Sequence, residues 1–162
     1  MFYVFIFVLG AIVGSFLNVL VLRLGTGNSV IRGRSMCFSC SHKLSGWELV
    51  PIFSYLLQRG RCFHCATRIS WQYPIVESIS ALGFVVLAGQ TTDPIPLPLL
   101  LLIFSLALAI CVYDLRHKII PDAFSFGFAV LALMRLALYY QSEVFSYPGL
   151  LDLLAGPLLA LP

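Results

Sequence analysis

Long segments without charge are the feature that most restricts the fold of this chain. Residues 95–113 and residues 2–22 contain no Asp, Glu, Lys or Arg. Hydrophobic residues make up 60% of the chain and charged residues 10%, whereas a soluble domain carries about 25% charged residues. Because a helix of about 20 apolar residues crosses the hydrocarbon of a bilayer, the sequence predicts an integral membrane protein.

Four segments have the length and composition of membrane helices, and a fifth begins near the end of the chain. They are Phe2 to Leu22, Pro74 to Gly89, Ile95 to Tyr113, Ala123 to Tyr140 and the run that starts at Leu150. The first lacks a basic start and a small-x-small cleavage site, so it is interpreted as a retained helix and not a secretory signal. The predicted fold class is an all-α polytopic membrane protein.

The basic residues predict the orientation of these helices. Seven of the ten Lys and Arg residues lie in residues 23–73, and two more lie in residues 114–122. Cytoplasmic loops carry the excess of Lys and Arg, so both connections are expected in the cytoplasm and the N-terminus outside. The net charge of +3 is then explained by orientation, and no nucleic-acid partner is expected.

Four of the five cysteines form two pairs inside the predicted insert, residues 23–73. Cys37, Cys40, Cys62 and Cys65 follow the spacing C-x2-C-x21-C-x2-C, and such pairs present four thiolates to one tetrahedral Zn²⁺. Two disulfides or unconnected thiols are the alternatives, but a cytoplasmic location disfavours disulfides. With no open coordination position the zinc would be structural, giving a zinc-ribbon-like insert. Cys111 is expected to be a packing residue.

The acidic residues near the predicted membrane surface are candidates for chemistry. Asp114 ends an uncharged segment, where an acid is either an ordinary interfacial charge or a functional group. Two close carboxylates share a proton and can activate water without a covalent intermediate. Neither Asp122 nor Asp152 is a convincing partner for Asp114. Glu77 is expected within the first turn of its helix. It either interacts favourably with the N-terminus of that helix or has a role towards substrate.

Small and polar residues of the first helix favour close packing. Gly10, Gly14 and Ser15 allow a neighbouring helix to approach, and Asn18 can hydrogen-bond across helices. The apolar segment Gly46 to Leu56 is expected to form a short helix, packed on the ribbon or resting at the membrane interface.

Taken in order, six blocks of this sequence resemble the bacterial type IV prepilin peptidases, the leader peptidases of pili and type II secretion. The blocks are GSFLNVLVLRL (14–24), the two CxxC pairs, WELVPIFSYL (47–56), GRCFHC (60–65), YPIVE (73–77) and DLRHKIIPD (114–122). The resemblance implies three parts: a first transmembrane helix (1–22), a methyltransferase-linked insert with four cysteines (23–73) and a transmembrane aspartic peptidase domain (74–162).

The resemblance also implies an activity. The expected enzyme is an intramembrane aspartic endopeptidase of the bacterial cytoplasmic (inner) membrane, with the lipid bilayer as its surroundings. It cleaves the basic leader of type IV prepilins or pseudopilins after Gly at the cytoplasmic face. S-adenosylmethionine-dependent N-methylation of the new terminus is linked to the cysteine insert. Asp114 matches the first catalytic aspartate, while Glu77, Asp122 and Asn18 have possible substrate or structural roles.

One family motif is missing from this sequence. The second catalytic aspartate of such enzymes lies in a GxGD motif, which does not occur here; it is expected beyond Pro162, and this chain alone is expected to be inactive. The alternative function is a non-catalytic, membrane-anchored zinc-ribbon scaffold or a degenerate peptidase. A transporter fragment that couples ions through Asp114 and Glu77 is disfavoured, because inverted repeats are not found.

Overall fold

The computed structural model describes residues 1–24, 26, 29–30, 32–90 and 97–146, with residues 139–146 as backbone alone. Within them the chain forms five α-helices and one 3-10 turn, and its only β-structure consists of two isolated bridges. The elements are α1 (Phe2–Arg23), the 3-10 turn (Trp47–Leu49), α2 (Phe53–Leu57), α3 (Gln72–Gln90), α4 (Leu97–His117) and α5 (Asp122–Ser146).

Three of these helices are long and apolar enough to cross a membrane: α1, α3 and α4. They match the first three predicted spans, and the cysteine-rich insert lies between the first two of them. The predicted all-α, multi-span fold class is therefore confirmed. The fourth predicted span lies in α5, whose last eight side chains are not described, and the fifth, from Leu150, lies outside the described residues.

Helices α1 and α3 form the most extensive contact among the described elements. A Cβ added at Gly10 would lie 2.8 Å from the Cα of Ala81, and one added at Gly14 would lie 2.8 Å from the Cα of Glu77. Only residues without a side chain allow two helix backbones to approach so closely. The close packing predicted for these glycines is confirmed.

Two apolar clusters hold the helices together, one towards each end of the bundle. The first consists of Ile6, Phe84, Ala88, Leu97 and Leu101, and the second of Leu17, Val21, Val76, Ala109 and Val112. Each cluster takes residues from α1, α3 and α4. The opposite face of α1 leaves large apolar side chains exposed, as expected for a surface that contacts lipid.

Helix α3 begins two residues before the proline at which the sequence predicted its start. Pro74 is tolerated there because the first backbone N–H groups of a helix have no intrahelical acceptor. Glu77 is consequently the sixth residue of α3 and not part of its first turn. The interpretation of Glu77 as a first-turn acid is wrong.

The insert and the residues around Asp114 lie at the same end of the bundle. The side-chain amide of Asn18 donates to the carbonyl of Tyr73 at 3.3 Å, joining the end of α1 to the start of α3. The Arg116 guanidinium donates to Gln72 Oε1 at 3.2 Å, joining the end of α4 to the same place. Since α5 begins at Asp122, only a short turn after α4, four helix ends meet here.

Substitution of Gly14 tests this packing. We expect Gly14→Ala to destabilise the protein by about 1–3 kcal/mol, because the added methyl overpacks against the α3 backbone. Gly89→Ala in α3 is the matched control: apart from the backbone of its own helix and its chain neighbours, no described atom lies within 4 Å of its added Cβ, so it should be neutral or slightly stabilising. Thermal unfolding of both variants in detergent measures the difference. Equal melting temperatures would contradict the close approach of α1 and α3.

Candidate functional site

The first CxxC pair lies in a tight backbone turn, residues 36–43, here called the first knuckle. The Cys37 N–H donates to the carbonyl of His42, and the Ser41 N–H donates to the carbonyl of Cys37, both at 2.9 Å. Ser41 has a φ of 56°, in the left-handed region that reverses the chain within a single residue. The turn brings the two cysteines of the CFSC motif to the same place.

The second knuckle, residues 61–68, repeats this geometry. The Cys62 N–H donates to the carbonyl of Thr67, the Ala66 N–H donates to the carbonyl of Cys62, both at 2.9 Å, and Ala66 has a φ of 54°. In each knuckle an antiparallel bridge joins the first and last residues. The CFSC and CFHC motifs are thus two copies of one structural unit.

The two knuckles together form a four-sulfur cluster. The Sγ atoms of Cys37, Cys40, Cys62 and Cys65 all lie within 4.8 Å of one another, and those of Cys37 and Cys65 are 3.7 Å apart. A tetrahedral zinc ion with Zn–S bonds of about 2.3 Å separates its sulfur ligands by about 3.8 Å. The donor set and the spacing both fit a metal ion, and all four cysteines are free thiols.

Ionisation differs among these thiols. A hydrogen bond with the Thr67 hydroxyl lowers the pKa of Cys65 to about 6, and the backbone N–H of Cys40 lowers the pKa of Cys37. The pKa of Cys40 is raised to about 11: the backbone N–H of His42 lowers it, but burial and the neighbouring thiols of Cys65 and Cys37 outweigh this. Adjacent thiolates repel, so binding of a divalent cation is expected to displace the remaining protons.

Two histidines lie beside the cluster, one from each knuckle. The rings of His42 and His64 lie against each other, with centroids 3.5 Å apart and planes inclined by 33°. His42 Nε2 also lies 3.8 Å from Glu48 Oε2. The histidines therefore connect the two knuckles to each other and to the 3-10 turn.

Glu77 joins the insert to the helix bundle. Its side chain projects from α3 and the residue is only 6% exposed. Glu77 Oε2 accepts a hydrogen bond from the backbone N–H of Ile52 at 2.7 Å, and the Ser15 side chain of α1 lies close to the same carboxyl group. This contact is one polar link between the two parts. Another is made by the Arg23 guanidinium at the end of α1, which donates to backbone carbonyls of the insert, those of Ser29, Arg32 and Arg34.

The backbone at Ile52 is strained. Its φ of 65° and ψ of −54° make it the centre of a γ-turn, closed by the Phe53 N–H, which donates to the carbonyl of Pro51 at 2.6 Å. Such a conformation costs about 1–3 kcal/mol and persists only where its surroundings hold it. The expected short helix in this segment is confirmed as α2, but a β-branched residue gives no sequence signal for the turn that precedes it.

Asn18 anchors a second polar chain across the bundle. It is fully buried, and besides donating to Tyr73 it accepts a hydrogen bond at 3.3 Å from Gln72 Nε2. Gln72 in turn accepts from Arg116 of α4. Three helices are thereby cross-linked at the end of the bundle that carries the insert.

Asp114 and Asp122 lie at the same end but outside this network. Asp114 is half-buried in the last turn of α4, and Asp122 is exposed at the start of α5. Over the described part of the chain, neither carboxylate has a hydrogen bond or ion pair. The structure thus brings Asn18 and Glu77 into defined contacts, whereas the two aspartates lie at the same end of the bundle without such contacts among the described residues.

Residues 8–91 match the family described as the bacterial peptidase A24 N-terminal domain. This stretch is more than half of the chain, and it contains both knuckles, Ile52 and Glu77. The chain belongs to this family. The resemblance inferred from the six sequence blocks is confirmed at this level.

Curated relatives in the family are similar over different lengths. A protein named prepilin leader peptidase/N-methyltransferase from Myxococcus xanthus is 46% identical over 84 residues, which cover 52% of this chain and 25% of that protein. A protein of the same name from Pseudomonas putida is 35% identical over a match that covers 72% of this chain and 48% of that protein. Another from Bacillus subtilis is 34% identical over a match that covers 93% of this chain and 60% of that protein. The chain therefore spans a quarter to three fifths of these relatives. No solved structure matches significantly.

Metal content tests the cysteine cluster of this family member. We expect the purified protein to contain one zinc ion per chain and Cys62→Ser to lose it, because three thiolates hold the ion less tightly than four. Cys111→Ser is the matched control, since Cys111 lies in α4. Elemental mass spectrometry after dialysis measures both. Retention of the metal by Cys62→Ser with wild-type affinity would exclude Cys62 as a ligand and with it the four-sulfur site.

Exchange of the Ile52 amide tests the contact with Glu77. We expect Glu77→Ala to accelerate hydrogen exchange there by about tenfold to a hundredfold, since a hydrogen bond to a charged group contributes about 1.5–3 kcal/mol. Glu77→Gln keeps an oxygen acceptor and should accelerate exchange less. Mass-spectrometric hydrogen exchange in detergent resolves the segment around Ile52. If the Ile52 amide exchanges at the same rate in Glu77→Ala and in the wild-type protein, Glu77 does not hold the insert.

Proposed function

We propose that this chain forms part of an intramembrane aspartic endopeptidase that removes the basic leader of type IV prepilins or pseudopilins after Gly and also N-methylates the new terminus. Membership of the peptidase A24 N-terminal domain family carries this proposal. The names of the relatives, prepilin leader peptidase/N-methyltransferase, support both activities.

We further propose a multi-pass location in the bacterial cytoplasmic membrane, with the N-terminus outside and the insert inside. The support is the distribution of basic residues: nine of the ten lie in residues 23–73 and 114–122, and these two regions meet at one end of the bundle. Positive charges accumulate on the cytoplasmic side. We also propose a division of the chain into residues 1–22, 23–73 and 74–162. In this division the first and third parts pack together in the membrane, through the contact of α1 with α3.

In the proposed cleavage, Asp114 is one member of a carboxyl pair that shares one proton. The ionised carboxylate takes a proton from water, the water oxygen attacks the carbonyl carbon of the Gly peptide bond, and the protonated carboxyl polarises the carbonyl oxygen. The C–N bond then breaks and the leaving amine takes up a proton. We propose that the second aspartate lies beyond Pro162, which the greater length of the relatives supports.

We assign the four knuckle cysteines as ligands of a structural zinc ion. Two knuckles with few buried apolar residues need such a cross-link to keep one geometry. S-adenosylmethionine, the proposed methyl donor, supplies a methyl group activated by a positively charged sulfur. The role of this chain is to bind the donor and to hold the insert next to the membrane surface, through Glu77, where the new N-terminus emerges.

A non-catalytic, membrane-anchored scaffold is the second candidate. It is favoured by the absence of a partner for the Asp114 carboxylate among the described residues. In that case Asp114 is an ordinary interfacial charge, and the cysteine cluster carries the function by itself.

A chimaera distinguishes the two candidates. Replacing the matching region of the Bacillus subtilis relative with this chain supplies the rest of the protein, and cleavage of a prepilin is then followed in membranes. We expect Asp114→Asn to reduce cleavage by about 10²–10⁴-fold, the usual contribution of a general acid–base group. Asp122→Asn is the control and should retain most activity.

Substitution of a knuckle cysteine is expected to separate the two proposed activities. Cys62→Ser in the same chimaera should retain leader cleavage while methylation of the new terminus falls. Undiminished cleavage by Asp114→Asn would exclude the peptidase assignment of that residue and favour the scaffold.

A further inference from the structure

The short helix α2 of the insert lies at the level of the first turns of α3. Two contacts fix this position. The Ile52 N–H, at the start of α2, donates to the Glu77 carboxylate, and the ring centroid of Tyr55, in the middle of α2, lies 5.3 Å from that of Trp71. Trp71 and Glu77 are six residues apart, which is about 9 Å along a helix axis. Since α3 is long and apolar enough to cross a membrane, α2 lies at the height where that helix enters the bilayer.

The lipid-facing side of α3 ends at Trp71. Four exposed apolar residues recur along this helix at intervals of three or four, and so share one face: Ile75, Ile79, Leu82 and Val86. Trp71 continues the same face by one turn, because the Ile75 N–H donates to the carbonyl of Trp71 at 3.2 Å, and its side chain is also exposed. Tryptophan at the end of such a face lies at the headgroup level of a membrane. Trp71 therefore marks the boundary between lipid and water.

Helix α2 has an exposed apolar face of its own. Phe53, Leu56 and Leu57 are 63%, 64% and 73% exposed, and their spacing of three and four residues puts them on one side of the helix. Tyr55, which is turned to the other side, is buried and contacts Trp71. Removing a Leu or Phe side chain from water stabilises a protein by about 1.5–3 kcal/mol. Three such side chains next to the end of a lipid-facing surface favour lipid as the phase that covers them.

The charge of the insert supports the same choice. Residues 23–73 contain seven Lys and Arg residues and a single acid, Glu48. Arg59 and Arg61 directly follow α2 and are exposed, and such side chains place their apolar stems along lipid and their charges among phosphate groups. A second copy of this chain would instead bring two strongly basic surfaces together, which is unfavourable.

We propose that α2 anchors the insert to the bilayer surface, with Phe53, Leu56 and Leu57 inserted into the headgroup region beside Trp71. The insert is then attached to lipid as well as to the helix bundle, and the height of the two knuckles above the membrane is fixed on both sides. This anchor goes beyond the proposed peptidase and methyltransferase activities and does not depend on them.

Fluorescence quenching of the full chain in lipid nanodiscs tests the anchor. Trp47 and Trp71 are its two tryptophans, so replacing both with Phe gives a silent background in which Leu56→Trp reports on α2 alone. Phospholipids brominated in the upper part of the acyl chains should reduce its fluorescence at least about twofold, since an interfacial helix buries its apolar face at that depth. Iodide in the aqueous phase should quench it only weakly.

Two further single-tryptophan proteins calibrate the result. Trp47→Phe alone leaves Trp71, which should be quenched by the brominated lipids because it ends the lipid-facing side of α3. Phe38→Trp in the silent background is the matched control: Phe38 is 80% exposed on the first knuckle, so this tryptophan should respond to iodide and not to brominated lipid. Phe53→Trp is a second reporter on the apolar face of α2, and an unchanged zinc content shows that each variant keeps its knuckles folded.

Two results would overturn the proposal, each for a different reason. If Leu56→Trp and Phe53→Trp respond to iodide as strongly as Phe38→Trp and ignore the brominated lipids, the apolar face of α2 points into water. If both reporters are shielded from iodide and from brominated lipid alike, a protein surface covers the face. Cross-linking in nanodiscs that hold one or two chains then shows whether that surface is a second copy.

Quenching of both reporters by lipid supports the anchor whatever activity the protein has.

Discussion

The close approach of α1 and α3 is the contact on which the other features depend. Because Gly10 and Gly14 have no side chains, the backbone of α3 lies directly against α1. That distance places Glu77 beside Ser15 and Asn18 beside Tyr73. A side chain at Gly14 would separate the helices, and both the Glu77 link to the insert and the polar chain across the bundle would be lost with it.

The insert has a different source of order. It has few buried apolar residues, and its two knuckles are positioned by backbone hydrogen bonds, by the contact between two histidine rings and by four sulfurs that fit a metal ion. It is attached to the bundle through Glu77 and the strained γ-turn at Ile52, and also through Arg23 of α1, which donates to insert carbonyls. Within the insert, the four-cysteine cluster therefore takes the place of an apolar core, and hydrogen bonds such as that between Ile52 and Glu77 join the insert to the bundle.

Some features of the site could be predicted and others could not. The spacing of Cys37, Cys40, Cys62 and Cys65 predicted their convergence, because two cysteines separated by two residues can present both thiolates to one metal ion. The position of Glu77 was predicted wrongly, since α3 starts before Pro74 and no sequence rule excludes that. Whether the short helix packs on the ribbon or at the membrane interface was left open by the sequence, because the exposure of its apolar side chains depends on where α2 contacts α3.

The sequence by itself determined the membrane class, the all-α fold, the cysteine cluster and the family. These follow from local properties: the length of apolar runs, the spacing of ligands and ordered motifs. Only the tertiary structure decided which residues meet across the chain. The Glu77–Ile52 hydrogen bond and the ring contact of Tyr55 with Trp71 join residues of different elements, and such contacts depend on how closely helices and turns pack, which no local pattern specifies.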